Sequence, residues 1–142
     1  MRRSAEKCIG KIMIAKNNIF NIRATKGGQW QGQVGTNKGF VEFETREHAI
    51  RAWLVLMHTY RKKHRLRTIR DIVTRFAPPA ENNTEAYINY CAKRVYLSAA
   101  TPLSSATNDY ARLGCAMAKM ETDTDLTANE ILKVQEKFSI TI

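Results

Sequence analysis

One short segment, residues 16–44, restricts the fold of this chain more than any other part. It joins a polar turn with paired asparagines, Asn17 and Asn18, to a small apolar cluster and to Trp30, which stands between glycines. Asparagine and glycine tolerate the left-handed backbone conformations that tight turns need. Apolar and polar residues then alternate up to Phe43, as in a half-buried strand. The segment therefore predicts a turn followed by one small β-hairpin.

We predict that this hairpin has a first strand over 30–34, a loop over 35–39 and a return strand over 40–44. Alternation along the return strand places Val41 and Phe43 on one face and the other three side chains, two of them glutamates, on the opposite face. A two-stranded hairpin is too small to be stable alone. The remainder of the chain must therefore cover it.

The sequence after the hairpin predicts five helices. Apolar residues recur at helical spacing, and four of the segments open with a threonine that can serve as N-cap. The predicted caps and helices are Thr45 with 46–64, Thr68 with 69–76, Thr84 with the segment to 95, and Thr127 with the segment to 138; a further helix is predicted from Asn108 to about residue 120. The predicted fold class is mainly α (α+β), with one hairpin. Residues 1–100 would form the main domain, and 101–142 a linker and a C-terminal helical extension packing on it.

Positive charge is concentrated in the middle of the chain. The formal net charge is +10, and nine basic residues against two acidic ones give +7 between Arg46 and Arg75. Such a surface suits an anionic partner: nucleic acid, a phosphate-rich wall polymer or a membrane surface. A solvated helix face that favours solubility is the alternative.

Several functional classes find no support in the sequence. The three cysteines and three histidines have no metal-site spacing, and no phosphate-binding glycine loop or serine elbow occurs. We predict free thiols, no metal and no cofactor. No segment approaches the ~18 apolar residues of a membrane span, and charges interrupt any apolar leader. We expect synthesis in the cytoplasm without a signal peptide; the sequence does not indicate an oligomeric state.

Carboxylates are the remaining candidates for chemistry. Glycoside hydrolysis needs a general acid and often a second carboxylate as base, nucleophile or stabiliser. Glu42 and Glu44 share a strand face, Glu6 lies in the N-terminal segment, and Glu81 lies in a polar loop behind two prolines. Each glutamate equally fits a solvated surface position.

Aromatic and amide side chains add candidates for sugar binding. Trp30 between glycines suits stacking on a pyranose, and a core tryptophan of the hairpin is the alternative. Asn17, Asn18 and Asn21 can bond N-acetyl or hydroxyl groups, or can hold the turn through bonds to the backbone.

These motifs resemble those of bacterial endo-β-N-acetylglucosaminidases of the lysozyme superfamily. Residues 17–24 read Asn-Asn-Ile-Phe-Asn-Ile-Arg-Ala, followed by Trp-Gln-Gly at 30–32 and Phe-Val-Glu-Phe at 40–43. Asn-Thr-Glu-Ala-Tyr at 83–87 is similar to the segment that opens a helix near the cleft in that family. The resemblance covers about residues 6–97. It implies a lysozyme-like fold with Glu6 near the place of the catalytic acid.

The chain resembles more closely a group of small phage and prophage proteins described as virion or structural proteins. The shared motifs are those at 17–23, 30–32 and 40–43, Ala-Ile-Arg-Ala at 49–52, Thr-Ile-Arg-Asp-Ile at 68–72, and the segment 77–87. This resemblance implies a phage or mobile-element origin, with association with a virion or release at lysis.

Three functional hypotheses follow. The first is a domain that recognises the peptidoglycan glycan strand, with hydrolysis of that strand as its candidate activity; Glu6 would be the acid, Glu42 or Glu44 would assist, and Trp30 and Tyr87 would hold the sugar. The alternative is a non-catalytic virion structural or wall-binding protein. The third is a basic nucleic-acid-binding helical protein that uses residues 61–75.

Overall fold

The computed structural model describes residues 12–142, and within them the chain forms a two-stranded antiparallel hairpin followed by five helices. The elements are β1 (Gln33–Asn37), β2 (Phe40–Phe43), α1 (Arg46–Lys62), α2 (Ile69–Phe76), α3 (Thr84–Val95), α4 (Asp109–Thr122) and α5 (Ala128–Lys137). The predicted mainly helical fold class with one small hairpin is confirmed. Its likeness to lysozyme stays a prediction, and Glu6 lies outside the described residues.

The hairpin is tighter than the predicted five-residue loop. Asn37 pairs with Phe40, so only Lys38 and Gly39 form the turn, with φ of 51° and 85°. Two successive positive φ values match the twist of a two-residue hairpin turn. As a result β1 begins three residues later than predicted, and a bulge at Val34 shifts the register.

Both faces of β2 are covered. Val41 and Phe43 are fully buried in the main core, as the alternation predicted. Phe40 on the opposite face is also buried, and the guanidinium of Arg23 lies 5.1 Å from its ring centroid. Segment 16–24 therefore covers this side of the hairpin.

Side-chain caps begin four of the helices. The predicted caps Thr45, Thr68 and Thr127 each accept a backbone N–H of the first turn. The predicted cap of α3, Thr84, is wrong by one residue. Asn83 accepts the bond from Ala86, whereas the Thr84 hydroxyl donates to the Ala77 carbonyl at 2.6 Å. Thr84 thus ties α3 to the end of α2.

Helix α4 lies at the centre of the helical layer, because it is buried on nearly all sides. Gly114 makes this possible: a Cβ there would lie 2.6 Å from Cδ1 of Ile131 in α5 and 3.1 Å from the Trp53 ring in α1. The hydrophobic core includes residues from both sides of position 100. The division into two units at that position stays a prediction.

The predicted linker at 101–105 is attached to the helical body. The Leu103 N–H donates to the Arg67 carbonyl at 2.8 Å, and Thr68 forms a β-bridge with Pro102. The Leu103 side chain is buried. Within residues 12–142, none of the helices is long and apolar enough to cross a membrane.

Candidate functional site

The paired asparagines hold the N-terminal segment against the hairpin. Asn17 Nδ2 donates to the carbonyls of Phe43 and Glu44, both at 3.0 Å. Asn18 is fully buried; its Nδ2 donates to the carbonyls of Ile22 and Val41 at 2.9 and 2.8 Å, and its Oδ1 accepts the Ile22 N–H. These bonds occupy both amides and favour the structural alternative for Asn17 and Asn18.

Asn21 has a different role, because it points away from the hairpin toward α4. It adopts a left-handed conformation with φ of 52° and is 5% exposed. Its Nδ2 donates to the backbone carbonyl of Glu121 at 3.1 Å and to Oε1 of the same residue at 3.3 Å. The turn is therefore joined to a helix that lies 100 residues later.

Glu121 is the buried carboxylate on which the predicted site residues converge. Its side chain is 1% exposed, and its Oε2 accepts the Tyr87 hydroxyl at 2.9 Å. Asn21 from the turn and Tyr87 from α3 thus hold one carboxylate from two sides. The sequence reasoning missed Glu121, because it ended α4 at Met120. A signal was present: Glu121 follows Met117 by four residues, on the apolar stripe of the helix.

A narrow pocket opens beside this carboxylate. Its lining residues are Asn21, Arg23, Phe40, Phe76, Ala77, Asn82 and Glu121, and its volume is about 10 Å³. Space of that size holds about one water molecule. Among the described residues, none donates a hydrogen bond to the buried Oδ1 of Asn21. The pocket can therefore hold one small hydrogen-bond donor.

An exposed ion pair flanks this pocket. The Arg23 guanidinium, which lines the pocket, contacts the Glu81 carboxylate, and both side chains are nearly half exposed. Three of the predicted site residues, Asn21, Glu81 and Tyr87, are thus brought into one region together with Glu121. The positive charge of Arg23 beside the pocket is therefore partly neutralised by the Glu81 carboxylate.

The structure leaves the hairpin candidates away from this pocket lining. Trp30 is half-buried against the core, and its backbone N–H donates to Oε1 of Gln33 at 3.0 Å. The Glu42 carboxylate lies over Gly35, where a Cβ would be 2.7 Å from Oε1, and Glu44 is exposed. Their proposed roles in catalysis or sugar binding stay predictions.

Metal-binding side chains do not come together in the described part of the chain. No group of three His, Cys, Asp or Glu residues there has the arrangement needed to hold a metal ion. Cys91 and Cys115 are free thiols, both buried. Burial raises the pKa of each thiol, so both side chains belong to the core and not to a reactive site.

Comparison with known proteins places the chain among phage proteins. No family model matches it. It is 35% identical to Protein P5 of Pseudoalteromonas phage PM2 over 125 residues, which cover 84% of this chain and 77% of that protein. The chain belongs to the family of phage protein P5. The phage part of the resemblance is thereby confirmed, whereas the relation to glucosaminidases stays a prediction.

Proposed function

We propose that this phage P5-family protein is a non-catalytic component of the virion. The observation that carries the proposal is the similarity to Protein P5 of a phage along most of both chains. The resemblance of the sequence motifs to small virion proteins agrees with this assignment.

The geometry around Glu121 supports a non-catalytic role. Both carboxylate oxygens accept hydrogen bonds, from Asn21 and Tyr87, whereas a glycosidase acid must carry a proton to the leaving oxygen. The pocket volume of about 10 Å³ is also far below the ~300–1,000 Å³ of common ligand sites. The carboxylate therefore serves to join the turn, α3 and α4.

The direct test is the protein composition of particles purified from lysed host cells on a density gradient. The protein should peak with the particles at a constant ratio to the major coat protein, measured by quantitative mass spectrometry. A phage replication protein from the same lysate serves as the control for carry-over. Recovery of this chain only in the soluble fractions, with the replication protein, would contradict the proposal.

The second candidate is recognition or hydrolysis of the wall glycan, favoured by the convergence of Asn21, Glu81 and Tyr87 near one carboxylate. In this reading the half-buried Trp30 would contribute a stacking face. Zymography on purified walls separates the alternatives: clearing by the wild type that is lost in Glu6→Gln, while circular dichroism shows the variant to be folded, supports hydrolysis. Wall binding without clearing, reduced in Trp30→Ala, supports a binding module.

A further inference from the structure

A cluster of cations lies where α1 passes into α2. We call residues 62–67 the basic loop; it carries Lys62, Lys63, Arg65 and Arg67, all exposed. Arg75 of α2 faces it, with Nη2 3.5 Å from Nε2 of His64. In the described part of the chain none of these five cations forms an ion pair, although Arg23, Arg46, Arg70, Lys119 and Lys137 all do. The cluster is therefore an uncompensated positive surface.

The backbone of the basic loop is fixed to the helical body. The Leu66 N–H donates to the Tyr60 carbonyl at 2.9 Å, and the Arg67 carbonyl accepts the Leu103 N–H at 2.8 Å. Arg65 is held in the left-handed region with φ of 57°, a conformation that costs a non-glycine residue free energy. The cations thus project from a backbone that is hydrogen-bonded to the helical body, which lowers the cost of ordering it when an anionic partner binds.

The effect of the crowded charges is visible at neighbouring groups. Partial burial first, and then the charges of Arg75 and Lys63, lower the pKa of His64. At the other end of the loop, Arg61 and Arg67 act on Tyr110; burial raises the pKa of its hydroxyl, and the two cations oppose that rise. Cations at both ends of the loop therefore act on neighbouring groups.

We propose that the basic loop binds the sugar–phosphate backbone of nucleic acid without reading bases. Lysine and arginine side chains that neutralise phosphates release counterions, and this supplies sequence-independent affinity. Nucleic-acid binding by this loop goes beyond membership of the virion and does not depend on it, because the isolated chain would bind as well. In a virion the natural partner of this chemistry would be the packaged genome.

An anionic membrane suits this surface less well. Peripheral membrane sites combine basic residues with apolar side chains that enter the lipid. Among the described residues the exposed large apolar side chains are Ile12, Met13, Val34 and Tyr96, and none belongs to the basic loop. Its apolar member, Leu66, is half-buried against the core.

The test is binding of a fluorescent 20-base-pair duplex to the full chain, measured by anisotropy between 50 and 300 mM salt. The triple variant K62Q/K63Q/R65N removes three charges, and asparagine at 65 tolerates the left-handed backbone. Its negative slope of log affinity against log salt should become less steep by up to about 2.7, at about 0.9 for each phosphate contact, with affinity up to about 500-fold lower near 0.1 M salt.

A matched control keeps the net charge equal. K93Q/R112Q/K133Q also removes three exposed cations, on α3, α4 and α5, that form no ion pair within residues 12–142, and should retain the wild-type salt slope. Circular dichroism confirms that both triples remain folded. Equal weakening by both triples, or absence of binding by the wild type at 50 mM salt, would overturn the proposal.

Two further measurements distinguish nucleic acid from an anionic membrane as the partner and locate the bound DNA. Vesicles of phosphatidylglycerol and phosphatidylcholine should compete poorly with the duplex; binding to these vesicles but not to DNA would assign the loop to membranes instead. NMR titration of His64 should show its pKa rising when the duplex is bound, because phosphates offset the charges of Lys63 and Arg75. An unchanged pKa in a saturated complex would place the DNA elsewhere.

Discussion

Among single residues, Glu121 has an environment that is built by tertiary contacts. A carboxylate that is 1% exposed needs hydrogen-bond donors, because burial of an unsatisfied charge is costly. Tyr87 supplies one donor and Asn21 another. The sequence singled out Asn21 for its amide chemistry and Tyr87 for the resemblance of residues 83–87 to a segment near the glucosaminidase cleft. It did not identify the acceptor, because the partners lie 34 and 100 residues apart along the chain.

Removal of the Tyr87 hydroxyl tests this arrangement. We expect Tyr87→Phe to lower the free energy of unfolding by about 1–3 kcal/mol, since a buried carboxylate oxygen loses a donor while the ring packing is kept. Tyr96→Phe is the matched control, because Tyr96 is 82% exposed. Urea unfolding followed by circular dichroism measures both. Equal midpoints for the two variants would show that the Tyr87–Glu121 bond contributes nothing to stability.

At the level of whole elements, the helices were predictable and the hairpin was only partly so. Capping and the apolar stripe act within a few residues, so the start of α1 and the caps of α2 and α5 follow from local sequence. The turn was misjudged because Gly35 and Gly39 both resemble loop glycines. The structure separates them: Gly39 supplies a positive φ, whereas Gly35 makes room for the Glu42 carboxylate.

The two-residue turn predicts stability changes of opposite sign for substitutions at its two adjacent positions. Lys38→Asn should stabilise the protein by about 0.4–1 kcal/mol, because asparagine tolerates the left-handed conformation and Asn-Gly is the preferred pair for this turn. Gly39→Ala should destabilise it by about 1 kcal/mol or more, since φ there is 85° and a Cβ is disfavoured. Thermal unfolding measures both shifts. The same direction of change in both variants would rule out this turn geometry.

In the molecule as a whole, contacts between segments far apart in the sequence hold the turn and the first helix against the last two helices. Asn21 reaches Glu121 across 100 residues, and the ion pairs Arg46–Glu130 and Lys137–Glu47 join α1 to α5. Half-exposed ion pairs such as these contribute little stability. The apolar packing of α4 between its neighbours therefore contributes more to stability, and at Gly114 a Cβ would meet side chains of both α1 and α5.

A double-mutant cycle at Gly114 tests this packing. Gly114→Ala places a Cβ 2.6 Å from Cδ1 of Ile131, so this buried side chain must move, and overpacking should cost about 1–3 kcal/mol. The variant Ile131→Val removes that Cδ1 atom, and in its background Gly114→Ala should cost clearly less, giving a coupling energy within about 0.5–3 kcal/mol. The Trp53 ring at 3.1 Å keeps part of the cost. Additive changes in the free energy of unfolding, measured with urea, would mean that residues 114 and 131 do not form a packing contact between α4 and α5.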